Sequence, residues 1–363
     1  MEIKHGFNGF FHGKKIIITG DTGFKGSWLA IWLLEMGAEV YGYALPAKTG
    51  KDNYVVTQLE NRIQHQDGDI RNEKALKDFF KKVKPDIALH LAAQPLVLES
   101  YNEPRYTFET NILGTVNFFE AVRETPEVKA AINVTTDKCY QNNEWVWGYR
   151  ENDQMGGNDP YSASKGCSEL VTNAYIQSFF KNSHYNIASA RAGNVIGAGD
   201  WAGNRLIPDI FRAYQNNEKL TIRNPEATRP WQHVLEPLSG YLLLAKKLYE
   251  NGEFTGGWNF GPRDEMNYSV KSLFEKINKH INTDNVAFGN PVKQPHEATL
   301  LKLDISKALT YLGWRPVLNF QETIDYTVEG YLADIKDNDS YKNRLETIQK
   351  YTEKANRFVD YLK

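Results

Sequence analysis

A short apolar run, Ile16 to Thr19, opens directly into G-D-T-G-F-K-G, with glycines at 20, 23 and 26, and the loop runs straight into an apolar-periodic segment. Nothing else in the chain restricts its fold as much. Glycines at this spacing let the chain turn tightly and bring backbone N–H groups and a helix N-terminus against a pyrophosphate. Glycine triplets also serve ordinary turns, so the flanking elements carry the reading. After the loop, Trp28, Leu29, Trp32, Leu33 and Met36 recur at helical spacing, which predicts a helix that packs one face on a sheet and stops at Met36-Gly37. Gly20, Gly23, Phe24, Lys25 and Gly26 are therefore candidate dinucleotide contacts.

From Lys14 to about Lys138, strand-like runs alternate with helical segments, the pattern of parallel βαβ units. The further strand candidates are Val40 to Tyr43, Ile87 to Leu91, Ala130 to Thr135 and Asn186 to Arg191; helices are predicted from Tyr106 to Arg123 and from Pro160 to Phe180. This is an α/β chain with a Rossmann-type, doubly wound parallel sheet. After Ala192 the texture changes to loops rich in Gly, Pro, Trp and Asn, which read as substrate-facing loops of a smaller α/β lobe. The expected organisation is a dinucleotide-binding domain over 1–191 with a return segment near 231–262, a substrate lobe over 192–230 and 263–340, and a C-terminal helix over 341–363. That last segment carries Leu345, Ile348, Ala355, Phe358 and Val359 at helical intervals and is expected to pack on its own domain.

Charge narrows the partner. With 43 Lys and Arg against 45 Asp and Glu, there is neither a basic stripe nor an acidic tail to select nucleic acid or a membrane surface. A modest-sized ligand is the expected partner. Cys139 and Cys167 form no CxxC pair or ligand cluster, so free thiols and no metal site are expected. The start, with Phe7, Phe10 and Phe11 broken by Asn8, Gly9 and His12, lacks a signal-peptide run, and no later apolar stretch is long enough to cross a bilayer. The expected location is the cytoplasm.

The end of the second strand distinguishes NAD from NADP, because an acid there holds the ribose hydroxyls and an Arg accommodates a 2′-phosphate. Tyr41-Gly42-Tyr43-Ala44-Leu45 offers neither; the absence of Arg favours NAD, although Lys48 and Lys51 lie close by. Asp69-Ile70 can hold an adenine, the carboxylate accepting from the amino group and the Ile packing on the ring, or can cap a helix beginning near Asn72. Tyr161 and Lys165, in Y-S-A-S-K, are four residues apart and share one helical face. There the ammonium can lower the phenol's pKa and reach a nicotinamide ribose, and the phenol can take a hydroxyl proton while hydride leaves the same carbon. V-T-T-D-K sits at a strand end, where a parallel sheet presents groups to its crevice. Thr136 can bond the same sugar hydroxyl as Tyr161, and Asp137 and Lys138 supply an acid and a base side by side. Oxidation alone needs no such pair, whereas elimination of water beside a transient ketone does. The bland reading of Asp137-Lys138 is a solvated salt bridge.

Together with H-L-A-A-Q at 90 to 94 and Asn111 in T-N-I-L-G-T, these motifs resemble the extended short-chain dehydrogenase/reductases that process nucleotide sugars. T-G-F-K-G-S-W-L, A-A-Q-P-L-V, V-T-T-D-K-C-Y, A-R-A-G-N-V-I-G, R-L-I-P-D and T-R-P-W-Q-H-V-L-E-P-L-S-G-Y are similar to the CDP-glucose 4,6-dehydratase branch, from about Gly13 to the C-terminal region. The resemblance implies NAD as cofactor, contacted also by Leu91, Ala92, Ala93 and Asn111, and a nucleotide sugar, CDP-glucose favoured, as substrate. It implies Gln94, Asn194, Arg205, Leu206 and Arg229 as substrate contacts, Arg229 on the diphosphate. By the same resemblance Tyr161 takes the carbon-4 hydroxyl proton, Lys138 the carbon-5 proton, in a place where dTDP-glucose dehydratases carry Glu, and Asp137 protonates the departing carbon-6 hydroxyl. Trp231 and His233 are expected to pack the cleft, and His296-Glu297 resembles a substrate-side loop. A homodimer or homotetramer paired through the Tyr161 helix is also implied. A 4-epimerase shares the cofactor loop and Tyr-Lys pair but has no need of Asp137-Lys138; a catalytically silent binding protein needs neither.

Overall fold

The computed structural model describes residues 3–222, 224–263, 267–289, 300–336 and 338–362. Its first half lays down β1 (Lys15–Thr19), β2 (Glu39–Ala44), β3 (Gln64–Asp67), β4 (Ile87–His90), β5 (Ala130–Val134) and β6 (Asn186–Arg191). Between them run α1 (Phe24–Glu35), α2 (Asn53–Val56), α3 (Glu73–Val83), α4 (Val97–Asn102), α5 (Pro104–Phe108), α6 (Gly114–Arg123) and α7 (Pro160–Tyr175). The chain then makes β7 (Val195–Ile196), α8 (Leu206–Asn216), β8 (Leu220–Ile222), β9 (Thr228–Pro230), β10 (Gln232–His233) and α9 (Leu235–Glu250), and returns to the main sheet as β11 (Gly256–Asn259). It ends through β12 (Asn267–Ser269), α10 (Val270–Ile281), β13 (Val286–Phe288), α11 (Phe320–Ile335) and α12 (Ser340–Ala355).

The main sheet has seven strands in the order β11-β6-β5-β4-β1-β2-β3, every neighbouring pair parallel. Side chains alternate between its faces. Ile16, Ile18, Val40, Ile87, Leu89 and Ile132 enter the core beneath α1 and α9, while Ile17, Tyr41, Tyr43, Ala88, Ala131 and Ile187 face α3 and α6. Burial on both faces explains why the central strands β1, β4 and β5 read as apolar runs, unlike the edge strands β3 and β11. Strand order reverses between β1 and β4, and the crevice at that switch point is where such sheets take ligands. A third core, with Ile207, Phe211, Trp231, Phe274, Ile324 and Tyr331, joins α8, α10 and α11 to the short strands.

Three helices differ from the pattern in the sequence, and the predicted Pro160–Phe180 helix is α-helical only to Tyr175 and ends in a π-helical turn, Ile176–Phe180. The predicted Tyr106–Arg123 helix starts at Pro104 and contains a π-helical turn, Glu109–Leu113, ahead of α6. Helix α1 is buried all round from Gly26 to Leu33 rather than on one face. Its outer side is covered by Phe7, 6.5 Å from Trp32, and by Tyr351 of α12, whose ring meets Trp32 edge-on at 5.8 Å. The C-terminal helix thus packs on α1 as well as α11, with Ile348 and Ala355 inside and Phe358 exposed.

Glu236 of α9 is wholly buried beneath α12. Its Oε1 accepts the N–H groups of Val317 at 2.9 Å and Leu318 at 2.6 Å, and Oε2 accepts the Tyr351 hydroxyl at 2.8 Å. Burial pushes the carboxyl up to about 7, those donors opposing it. A folded value above the unfolded one means that this group's contribution is complete below about pH 4.5 and is lost as pH rises through about 7. Glu236→Gln, neutral throughout and still able to accept at Oε1, should therefore gain up to about 3 kcal/mol at pH 8 relative to its effect at pH 4. Urea denaturation at both values measures this, and an equal effect at both pH values refutes it.

Candidate active site

The glycine loop leaves β1 beside the strand end Leu91–Ala93. A Cβ at Gly20, whose φ is +80°, would lie 2.6 Å from the Ala92 nitrogen, and one at Gly26 would lie 2.1 Å from the Gly20 carbonyl oxygen. Only glycine permits both approaches. Gly23 caps α1 without a side-chain hydrogen bond, so the first-turn N–H groups face the loop with no side-chain partner. A loop drawn so tightly onto the neighbouring backbone that only glycine fits, ahead of a helix N-terminus without a side-chain cap on the switch point, fits a dinucleotide pyrophosphate. Loss of solvent, with Arg205 and Lys165 nearby and Asp137 opposing, brings the Lys25 ammonium to about 8.

Tyr161 and Lys165 come from the first turns of α7, which Pro160 starts and Asp159 caps through the Ser162 N–H at 2.9 Å. Both side chains are buried. Lys165 Nζ donates to the Val134 carbonyl at 3.4 Å, and burial brings it to about 8. Burial pushes the Tyr161 phenol up to about 12; Thr136 and Arg205 pull it down and Asp137 adds to the rise. Desolvation sets the direction at this phenol, against the expectation that Lys165 lowers it, and Thr136 and Arg205 oppose the rise.

Beyond β5, Thr136 caps the turn Asp137–Cys139. Its hydroxyl donates to Asp137 Oδ1 at 2.8 Å and accepts the Lys138 N–H at 3.4 Å. A hydroxyl has two lone pairs, so one remains for a sugar hydroxyl. Asp137 is 1% exposed and also receives Lys138 Nζ at 3.3 Å and Asn194 Nδ2 at 3.4 Å. The ion pair is therefore no solvated strand end: its carboxylate is enclosed and its ammonium reaches out of the fold.

Other predicted residues fall in different places. The Gln94 side chain is engaged by the protein, its Oε1 accepting the Leu96 N–H at 2.6 Å and its Nε2 donating to the Leu96 carbonyl and the Thr107 hydroxyl. Asn111 ties both backbone groups of Gln94 to the Ser164 hydroxyl of α7, acting as a strut between the 91–94 segment and the Tyr161 helix. Asp69 pairs with Arg71 at 2.6 Å and caps nothing; Asn72 caps α3. Ile70 is 5% exposed and packed toward Gly114, which leaves it little surface for an adenine ring. Lys51 is drawn to Gln215 at 2.7 Å and to the Trp201 face at 4.9 Å. Arg205 and Leu206 lie at the N-terminus of α8, and Arg229 lies in β9, paired with β12. Trp231 and His233 are both buried, and His233 is held between Trp28 and Tyr326, where burial brings its imidazole to about 3. His296-Glu297 lies outside the described residues.

Three features had no reading in the sequence. Glu169, one turn beyond Lys165, is buried with Arg191 at 2.7 Å and accepts the Thr135 and Ser189 hydroxyls, which fixes the strand end that carries Thr136. Its place four residues after Lys165 on the buried face was the available signal. Gly193 lies so close to Asp137 that a Cβ would stand 2.0 Å from Oδ2. Asp21, in the glycine loop, is buried on His65 at 2.7 Å, beneath the β2 end that lacks its own acid.

The family model described as GDP-mannose 4,6 dehydratase matches residues 17–327. A CDP-glucose 4,6-dehydratase from Salmonella typhimurium is 50% identical over 336 residues, which cover 91% of this chain and 94% of that protein. A CDP-paratose 2-epimerase from Salmonella typhi is 26% identical, over 85% of this chain and 97% of its own. The solved dTDP-glucose 4,6-dehydratase from Streptomyces venezuelae, with NAD and TYD bound, superposes with a TM-score of 0.77 at 23% identity, covering 90% of this chain and 99% of that one. At that identity the likeness speaks for the fold.

Proposed function

The chain belongs to the GDP-mannose 4,6-dehydratase family, and from that premise we infer that it converts CDP-glucose to CDP-4-keto-6-deoxyglucose and water. It is an NAD-dependent enzyme, a hydro-lyase with no net redox change. The observation that carries the reading is the enclosed Asp137, paired with Lys138, beside the Tyr161–Lys165 helix face. Gly20, Gly23 and Gly26 with the N-terminus of α1 would hold the pyrophosphate of NAD. When bound, NAD would supply the hydride acceptor for sugar carbon 4 and the donor for carbon 6.

The protein's own groups move the protons. Tyr161 takes the carbon-4 hydroxyl proton, with Thr136 aligning that hydroxyl through its spare lone pair. The resulting ketone acidifies carbon 5, where Lys138 removes the proton while Asp137 protonates the leaving carbon-6 hydroxyl. The step needs Lys138 as the amine and Asp137 as the carboxylic acid, an arrangement that one proton transfer across their 3.3 Å pair supplies. Asn194 orients Asp137, Arg205 and Leu206 line the nucleotide, and Arg229 binds its diphosphate. Residues 1–191 with the return at 231–262 form the cofactor domain, and 192–230 with 263–340 the sugar-nucleotide lobe. Exposed Phe108, Leu113 and Leu170, on the α5–α7 segment, support pairing of two copies through these helices. The two free thiols support a cytoplasmic location.

Incubation with NAD and, in turn, CDP-glucose, dTDP-glucose, UDP-glucose, GDP-mannose and UDP-N-acetylglucosamine tests this by mass spectrometry. Loss of 18 mass units from CDP-glucose is the expected result. Unchanged mass with inversion at carbon 4 identifies an epimerase, and no change with any sugar leaves the silent binding protein.

A further inference from the structure

The segment after β7 is irregular, yet four of its carbonyls are held by side chains from elsewhere in the fold. Trp28 Nε1 of α1 donates to the Ala198 carbonyl at 2.9 Å, and the Tyr331 hydroxyl of α11 donates to that of Asp200. Arg212 of α8 donates to the Trp201 carbonyl at 2.8 Å and to that of Ala202 at 3.2 Å. Gly199, at φ +83°, has Asn53 against it, so a side chain there meets both strain and a clash. Tyr331 is itself locked, stacked on Phe211 at 4.2 Å and edge-on to Trp201 at 5.2 Å. Three separate elements thus fix the backbone on either side of one acidic residue.

That residue is Asp200, whose side chain is 8% exposed. Its Oδ1 accepts the Ala202 N–H at 3.2 Å, which sets the rotamer, and its Oδ2 accepts Arg205 Nη1 at 2.8 Å. Arg205 closes the loop at the N-terminus of α8, with its side chain 35% exposed. Among the described residues its Nε and Nη2 make no hydrogen bond. Its guanidinium is near enough to Tyr161 and Lys25 to act on both electrostatically. A guanidinium is a planar fork, and fixing one Nη fixes the plane in which the remaining donors point.

We propose that Asp200 is a positioning residue for the reaction: it holds the Arg205 guanidinium by one edge, so that the other edge is presented to the sugar nucleotide beside Tyr161. The inference rests on the reading of Arg205 as a substrate contact. Without Asp200, the long arginine side chain samples other rotamers, and each binding event must order it again. The loss therefore falls on binding and alignment of the sugar nucleotide, with Tyr161, Asp137 and Lys138 intact.

The test is a double-mutant cycle in the full chain with NAD and CDP-glucose, using Asp200→Asn, Arg205→Gln and the pair together. Asp200→Asn keeps the shape and the Ala202 hydrogen bond while removing the charge. It is expected to lower kcat/KM about tenfold to hundredfold, the range for a charge-assisted hydrogen bond, mainly through KM and with little change in Tm. Arg205→Gln is expected to lose at least as much, and the double variant to lose no more than Arg205→Gln alone. Asp200→Glu, which keeps the charge, is expected to recover part of the loss and guards against a fold defect in the amide variant. If the two single losses multiply, Asp200 acts independently of Arg205 and the proposal fails, though Arg205 remains a substrate contact. If Arg205→Gln turns over CDP-glucose as the wild type does, the reading of Arg205 fails and takes the proposal with it.

Discussion

Asp137→Asn is expected to lower the rate of water loss from CDP-glucose by about 10²- to 10⁴-fold, the range for removal of a general acid. The substitution is nearly isosteric. The amide oxygen can still accept from the Thr136 hydroxyl, now 2.8 Å from Oδ1, and from Lys138 Nζ at 3.3 Å, so the strand end that carries both neighbours keeps its shape. What the amide cannot do is deliver a proton to the departing carbon-6 hydroxyl. Tyr161 and Lys165 stay in place, and loss of the Asp137 charge removes one of the groups that raise the phenol, so oxidation at carbon 4 continues and absorbance at 340 nm accumulates where the wild type shows none in the steady state. With elimination stalled, proton exchange by Lys138 proceeds, and deuterium from solvent should enter the sugar at carbon 5. A variant that retains a tenth or more of the wild-type rate removes Asp137 from the acid role. Stalling without deuterium uptake assigns the carbon-5 proton to a group other than Lys138.

The sheet was legible because its signals are local. Burial on both faces makes the central parallel strands apolar runs, and Asn186 to Arg191 has the same limits in the sequence and in β6, whereas the edge strands β3 (QHQD) and β11 (GGWN) carry no such run. The glycine cradle and the Tyr161–Lys165 pair were legible for a related reason, since each depends on a spacing within one element. What escaped depends on contacts between distant segments. Trp28 and Trp32 show one apolar face, but Phe7 and Tyr351, far away in the chain, bury the other side of α1. Gln94 and Asn111 are polar, lie next to the cleft and carry motif positions, yet their amides bond to each other's segment and to α7. Polarity alone cannot separate a ligand contact from such a strut. Asp200 illustrates the converse: in an irregular loop there is no period to mark an inward-facing carboxylate, and only the tertiary grip on its neighbours orients it toward Arg205.

Electrostatics at Tyr161 was the least readable quantity, because it depends on how much water the fold removes, and that gives the second large effect. Burial holds the phenol near 12, so near neutral pH the base form is scarce and its fraction grows about tenfold per pH unit. Thr136 and Arg205 offset this, and the Arg205 guanidinium keeps its charge throughout the working range. Where chemistry limits turnover, wild-type kcat should climb with pH through neutrality and go on climbing to pH 9. Tyr161→Phe removes the proton acceptor while keeping the ring that fills the site, and should lower kcat by about 10²- to 10⁴-fold with little change in KM. It should also abolish the pH slope, since no titrating base remains at carbon 4. Initial rates of CDP-glucose turnover from pH 6 to pH 9 measure both. If the Phe variant keeps the slope, another group takes the carbon-4 proton, and Tyr161 serves only to shape the pocket.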